Sequence, residues 1–245
     1  MSNSITVHGQ EIKYAHRPEF FKKVEEGKWE PESFDVLDDC LEEGMIFIDI
    51  GAWQGVLSIY AAKKDCFVYA IECDPVAIDE LEDNLEANDI DIYDVETSKI
   101  AISDSFGRAP LGTNSSYGSS ESTLLKREGD TAEKDVATME LPRWINNYEI
   151  DINEVCLIKI DIEGGELLLI KGALDFLKEH RPPLYIAFHP GWFPDYENDV
   201  QYIIDSLFPI YKFLSPAIKN QKEYSEEDFR VGLQNSEHSY VLISR

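Results

Sequence analysis

Five carboxylates and one histidine occupy positions in or at the ends of short apolar runs: Asp49, Glu72, Asp161, Glu163, Glu166 and His189. The first lies in Phe47-Ile-Asp-Ile-Gly-Ala-Trp-Gln-Gly55, where the apolar run from Met45 to Ile50 stops at a turn carrying Gly51 and Gly55. A second run, Phe67 to Ile71, ends at Glu72, twenty-one residues after Gly51. This is the skeleton of a nucleoside-binding βαβ unit, in which the glycines admit a ligand close to the backbone and the acid accepts both ribose hydroxyls. The alternative for Glu72 is a solvated acid at a strand end. Asp-x-Gly-x-x-x-Gly differs from the Gly-x-Gly-x-x-Gly of a pyrophosphate loop. It suits a ligand bearing an amino-acid group and no phosphates, and S-adenosylmethionine is the expected cofactor. Asp49 itself sits mid-run, where a carboxylate is costly unless backbone N–H groups or a ligand amine satisfy it.

Asp161-Ile-Glu163-Gly164-Gly165-Glu166 is the second concentration of acids. Alternation along a strand predicts Asp161 and Glu163 on one side. Together they can bind a divalent metal, accept a substrate hydroxyl, or cap the helix that follows. His189, beside Pro190 and Trp192, suits a general base near neutral pH, a metal ligand, or a hydrogen-bonded structural histidine. If a metal is held, Asp161, Glu163 and His189 are the expected ligands, with Mg2+ the expected ion.

The elements that must position these residues alternate between strand and helix. Pro75 opens a helix whose Ile78, Leu81 and Leu85 recur at helical spacing up to Asn88. Val95 to Ile102 contains a third strand. Ser103 to Asp135, with seven serines and three glycines by Ser122, reads as a small hairpin with a mobile loop or as a lid. A short strand is expected at Ala137 to Glu140 and a helix at Pro142 to Tyr148. Val155 to Asp161 is near-continuously apolar, like a strand buried on both faces of a parallel sheet. A helix through Leu167 to Leu177, a strand over Leu184 to His189, a helix through Val200 to Leu207 and a last strand at Tyr240 to Ile243 complete the order. The pattern predicts an α/β fold: an open, mainly parallel sheet with helices on both faces. One domain over 1–245 is expected, with 1–40 as a lead-in and 103–135 as an insertion. In such sheets ligands sit at the carboxyl ends of the strands, so Asp49–Gly55, Glu72–Pro75, Asp161–Glu166 and His189–Trp192 should share one edge.

The 245 residues carry 48 acids against 22 bases, a net charge of −26. Nucleic acid is thereby an unfavourable substrate, because phosphate contacts need clustered Lys and Arg. Cys40, Cys66, Cys73 and Cys156 form no Cys-x-x-Cys pair and read as reduced structural thiols. No apolar run of about 18 residues and no leader pattern is present, so a cytoplasmic protein without membrane insertion is expected. The oligomeric state is not legible.

Ile48-Asp-Ile-Gly-Ala-Trp-Gln-Gly55, Tyr69-Ala-Ile-Glu-Cys-Asp-Pro75, Leu81-Glu-Asp-Asn84 and Ile158-Lys-Ile-Asp-Ile-Glu-Gly-Gly-Glu166 resemble the FkbM-type methyltransferase family. So do Gly27-Lys-Trp-Glu-Pro31, Gly118-Ser-Ser-Glu-Ser-Thr-Leu124 and Leu184-Tyr-Ile-Ala-Phe-His-Pro190, so the resemblance runs from about residue 27 to about 190. It implies a class I Rossmann-like fold with a C-terminal antiparallel strand. It also implies transfer of a methyl group from S-adenosylmethionine, usually to a hydroxyl of a sugar, glycan or secondary metabolite. By that likeness Gly51, Ala52 and Gly55 line the methionine end, Glu72 holds the ribose, and Ile100 to Ile102, with Ala101 central, lies near the adenine. Asp49, Cys73 and Asp161 complete the expected cofactor contacts. Trp29, Glu30 and the serine-rich stretch around Ser120 would cover the acceptor, with Trp192 stacking on it. His189 or Asp161 would take the hydroxyl proton, while Glu163 orients the acceptor or a metal. Two rival functions keep part of this: a methyltransferase acting on a protein or amine, and a catalytically idle nucleoside-binding module. The idle module has no need for Asp161, Glu163 and His189 to converge.

Overall fold

Phe47, Ile48 and Ile50 are all at most 1% exposed, the pattern of a strand covered on both faces. That strand is the central one of the sheet's five parallel strands. In the computed structural model, which describes residues 3–113, 115–125, 132–216, 221–235 and 239–245, the chain begins with a hairpin of β1 (Ser4–Val7) and β2 (Gln10–Lys13). Helices α1 (Pro18–Glu25) and α2 (Pro31–Cys40) follow. Then come β3 (Ile46–Ile50), α3 (Val56–Ala62), β4 (Phe67–Ile71), α4 (Pro75–Ala87) and β5 (Val95–Ser98). A small sheet is made by β6 (Ala101–Ile102), β7 (Gly107–Thr113) and β8 (Ala132–Met139). Next are α5 (Leu141–Asn147), β9 (Val155–Ile160), α6 (Glu166–His180), β10 (Leu184–Ala187) and α7 (Tyr196–Leu207). The chain closes with β11 (Tyr211–Leu214), β12 (Glu223–Tyr224), α8 (Glu226–Gln234) and β13 (Ser239–Ser244).

Among the described residues the main sheet has the order β12-β11-β13-β10-β9-β3-β4-β5. From β5 to β10 every neighbouring pair is parallel. The last strand, β13, inserts antiparallel between β10 and β11, as expected for the C-terminal strand. Alternate side chains of β3 feed opposite layers. Ile48 and Ile50 pack with Trp144 of α5, Leu169 of α6, Ile203 of α7 and Phe229 of α8. Phe47 packs with Phe21 of α1, Phe34 of α2, Ile59 of α3 and Leu81 of α4. At about 1.5–3 kcal/mol for each large apolar side chain removed from water, these two layers hold the sheet and fix its carboxyl edge.

Three expectations need correction. The strand expected over Val95 to Ile102 breaks after Ser98, and Ala101–Ile102 pairs with β8 in the small sheet. The hairpin that was one reading of 103–135 is present as β7 with β8, but the strand expected at 137–140 starts at Ala132 and ends at Met139. Residues 114 and 126–131 of that stretch lie outside those described. The strand before Asp161 stops at Ile160, so Asp161 and Glu163 belong to a turn.

Candidate active site

The chain turns outward from β3 toward β4 on one side and toward β9 on the other, so the ends of β3 and β9 flank a topological switch point, where open α/β sheets bind their ligands. The two ends touch. Asp161 donates its backbone N–H to Ile50 O at 3.0 Å, and a Cβ on Gly51 would stand 1.8 Å from the Asp161 carbonyl oxygen. Gly51 also has φ +80°, which disfavours any side chain. The space Gly51 spares is therefore taken by the turn that follows β9. The space Gly55 spares is taken by Leu81, whose Cγ would lie 2.9 Å from a Cβ at Gly55. At both positions a side chain is excluded by a packed neighbour of the protein itself.

A cleft with about 1080 Å³ of empty space, partly open to solvent, runs along this edge. Asp49, Gly51, Ala52, Glu72, Cys73 and Ala101 line it, as do Trp29, Glu30, Ser120, Asp161, Glu163 and His189. Two expected members do not. Gly55 caps α3 behind the turn, and Trp192 stands behind Glu163, donating its indole N–H to Glu163 Oε2 at 2.9 Å.

Glu72 is 9% exposed at the end of β4. Its Oε2 accepts the Trp53 backbone N–H at 3.0 Å and its Oε1 the Asp74 N–H at 2.7 Å. Burial pushes its carboxyl up to about 7, against those N–H donations. Asp74 caps α4 through Oδ1, accepting from Val76 and Ala77. Its Oδ2 accepts the Gly118 N–H at 2.8 Å and the Ser122 hydroxyl at 2.7 Å. Trp53 adds a bond from its indole N–H to Gly118 O at 2.9 Å. Segment 115–125 is thus tied to both sides of the cleft wall.

Asp49 is buried, and two side chains meet its carboxylate. Ser58 donates its hydroxyl to Oδ2 at 2.6 Å, and Lys159 Nζ lies 3.1 Å from Oδ1. Lys159 also donates to Gly51 O at 2.9 Å and lies 3.8 Å from Asp161 Oδ2. Burial alone would lower the lysine's pKa, but Asp49 and Asp161 reverse that and hold it cationic. Sequence reasoning passed over Lys159, although a signal was present. A lysine inside an apolar strand needs an acid, and the register places Lys159 directly beside Asp49.

Next to this pair, the turn after β9 brings Asp161, Glu163 and His189 together. Glu163 has φ 52°, and its carbonyl accepts the Thr123 hydroxyl at 2.6 Å; the turn produces the convergence that strand alternation was expected to give. His189 Nε2 lies 3.6 Å from Asp161 Oδ1 and 3.9 Å from Glu163 Oε1. Its Nδ1 meets Oε1 of the fully buried Glu166 at 3.0 Å. Burial opposes charge on this ring, but the Glu166 bond and the charges of Glu166, Asp161 and Glu163 outweigh it and lift His189 to about 10. His189 is therefore a cation at neutral pH and a poor proton acceptor. Glu163 is raised chiefly by burial, with His189 and the Trp192 bond pulling it back. Across the cleft Glu30 is held at φ 36° before Pro31, a strained conformation of the sort stored at functional sites. Its Oε2 accepts the Ser33 hydroxyl at 3.0 Å. Burial and then Asp161 push Glu30 up to about 7, with Lys159 opposing.

The strand order, the antiparallel last strand and a cleft at the β3–β9 switch point define a class I methyltransferase fold. Residues 49–224 match the Methyltransferase FkbM domain, and the chain belongs to that family. The methyltransferase sdnD of Sordaria araneosa is 29% identical over 160 residues, which cover 54% of this chain and 61% of that protein. A solved FkbM methyltransferase from Methylobacillus flagellatus KT aligns with 82% of this chain and 44% of its own, at 18% identity and a TM-score of 0.46. SMU.1697c of Streptococcus mutans, solved in complex with SAH, aligns over 87% of this chain and 96% of its own, at 12% identity and a TM-score of 0.47.

Proposed function

We propose that this protein transfers the methyl group of S-adenosylmethionine to a hydroxyl oxygen of a small, sugar-like acceptor. One observation carries the reading: a single cleft is lined both by the Gly51 turn and Glu72 and by Asp161, Glu163, His189 and Glu30. In this reading the Glu72 carboxylate takes the two ribose hydroxyls, while Ile100 to Ile102 flanks the adenine and Asp49 and Ala52 stand by the methionine portion. The acceptor lies between the half-buried Trp29 and the serine-rich segment containing Ser120, both on the cleft wall. That arrangement counts against an idle nucleoside-binding module, which has no use for converged side chains beside the cofactor.

The transfer is an in-line displacement, so most of the enzyme's contribution is alignment. The acceptor oxygen forms a bond to the methyl carbon as the carbon–sulfur bond breaks, and its electron pair returns to sulfur, leaving neutral S-adenosylhomocysteine. The hydroxyl proton goes to a carboxylate, because His189 already carries both of its protons. Glu30 is the base in this reading, a cleft-facing acid tuned close to neutral pH. Asp161 and Glu163 orient the hydroxyl from the other side.

The reading is tested by supplying methyl-labelled S-adenosylmethionine with a panel of neutral sugars and glycosides, then comparing wild type with Glu30→Gln. Label should appear as an ether methyl on an acceptor, and Glu30→Gln should lower turnover by about 100-fold or more with S-adenosylhomocysteine affinity preserved. Full turnover in Glu30→Gln would remove it as the base. Label found only on proteins or amines would move the acceptor to that class.

A further inference from the structure

Each of Asp161, Glu163 and His189 is held from behind by a different residue. Glu166 is fully buried, and its Oε1 accepts the N–H groups of Ile162 and Gly164, each at 3.2 Å, besides facing His189 Nδ1 at 3.0 Å. A carboxylate can only accept there, so Nδ1 keeps its proton, and Nε2 is the atom turned to the cleft, whose proton a bound cation would displace. Trp192 fixes Oε2 of Glu163, leaving Oε1 facing inward. Lys159 lies on the Oδ2 side of Asp161, leaving Oδ1 facing inward. The gaps of 3.6 and 3.9 Å from His189 Nε2 to those two oxygens are too long for hydrogen bonds. They are close to what a shared ion needs: two donors each about 2.1 Å from one ion, at tetrahedral or octahedral angles, stand about 3.0–3.5 Å apart. One donor atom from each of the three residues lies within 4.8 Å of the other two.

We propose that Asp161, Glu163 and His189 form a binding site for one divalent first-row transition cation, of the Mn2+ type, in place of the magnesium expected from the sequence. Magnesium favours an all-oxygen octahedron and keeps several waters, whereas an imidazole donor suits the first-row ions. Glu166, Trp192 and Lys159 form the outer layer that orients ligands in metal sites, with the carboxylate behind the histidine as its most telling member. A bound ion would act as a Lewis acid on the acceptor oxygen. That catalytic part rests on the methyl-transfer reading, while the binding itself does not.

The test is titration of chelator-stripped protein with Mn2+ alone, following the free ion by electron paramagnetic resonance. The same samples are titrated with S-adenosylhomocysteine by calorimetry. One Mn2+ should bind per chain, at least about tenfold more weakly in His189→Ala and in Trp192→Phe. Mg2+ should compete only at concentrations at least tenfold higher than Mn2+. Trp192→Phe keeps the aromatic bulk, so it stands in if His189→Ala fails to fold. No stoichiometric Mn2+ in protein that still binds S-adenosylhomocysteine would overturn the proposal and leave His189 as a buried counter-ion. Equal Mn2+ affinity in wild type and both variants would overturn it too, and equal competition by Mg2+ would overturn the choice of ion. Mn2+ binding without S-adenosylhomocysteine binding would uphold the cation site and sink the methyltransferase reading.

Discussion

Glu72 couples cofactor binding to pH. Burial raises its folded-state pKa from 4.5 to about 7, so its contribution to folding stability is complete below about 4.5 and is lost as pH rises through about 7. Binding runs the other way, because only the ionised carboxylate accepts both ribose hydroxyls. S-adenosylhomocysteine should therefore bind about tenfold more weakly at pH 6 than at pH 8, and Glu72→Gln should flatten the profile, as calorimetry at the two pH values would show. An unchanged profile in Glu72→Gln would place the titration elsewhere. Gly51 makes a separate, purely steric demand. A Cβ there meets the Asp161 carbonyl at 1.8 Å, and φ is positive as well. Gly51→Ala should lower unfolding free energy by more than about 3 kcal/mol, read from denaturant midpoints, and a wild-type midpoint would contradict the packing described. Glu72 and Gly51 were both legible in the sequence, but the job of Gly51 was not. A turn motif reveals that a side chain is forbidden and leaves open which neighbour forbids it.

The segment 115–125 and the N-terminal lead-in close the cleft from opposite sides, and Trp53 joins them. Its indole donates to Gly118 O, its ring packs edge-on against Phe20 with centroids 4.5 Å apart, and its backbone N–H reaches Glu72. Asp74 is the second tie, a helix cap and a clasp at once. Asp74→Ala should cost about 2 kcal/mol, made up of a lost cap of about 1 kcal/mol and unsatisfied partners in the segment. Thermal unfolding measures that cost, and a loss below about 0.5 kcal/mol would show the segment held by other contacts. These elements were the least legible. The serine-rich stretch has no hydrophobic period, so its β7–β8 pairing had no sequence signature beyond turn residues. By contrast, the apolar runs of β3, β4 and β9 were readable to within a residue, because strands covered on both faces leave nothing polar to confuse the pattern. The exception inside them, Lys159, became interpretable only when the β3–β9 register placed it beside Asp49.

Taken whole, the molecule pairs a net charge of −26 with a cleft whose acids outnumber its two cationic side chains, Lys159 and His189. Phosphorylated or carboxylated acceptors should therefore bind worse than their neutral counterparts, by an amount that shrinks as salt is raised. A sugar phosphate methylated faster than its parent sugar would contradict this. Among the described residues no helix is long and apolar enough to cross a membrane. The central claim is that the cleft at the β3–β9 switch point holds S-adenosylmethionine through Glu72, and calorimetric titration of wild type and Glu72→Ala with S-adenosylhomocysteine tests it most directly. Two bonds to a charged acceptor at about 1.5–3 kcal/mol each predict one site per chain in wild type and binding weakened about 100-fold or more in Glu72→Ala. Absent binding in wild type, or equal affinity in a folded Glu72→Ala, would contradict the account.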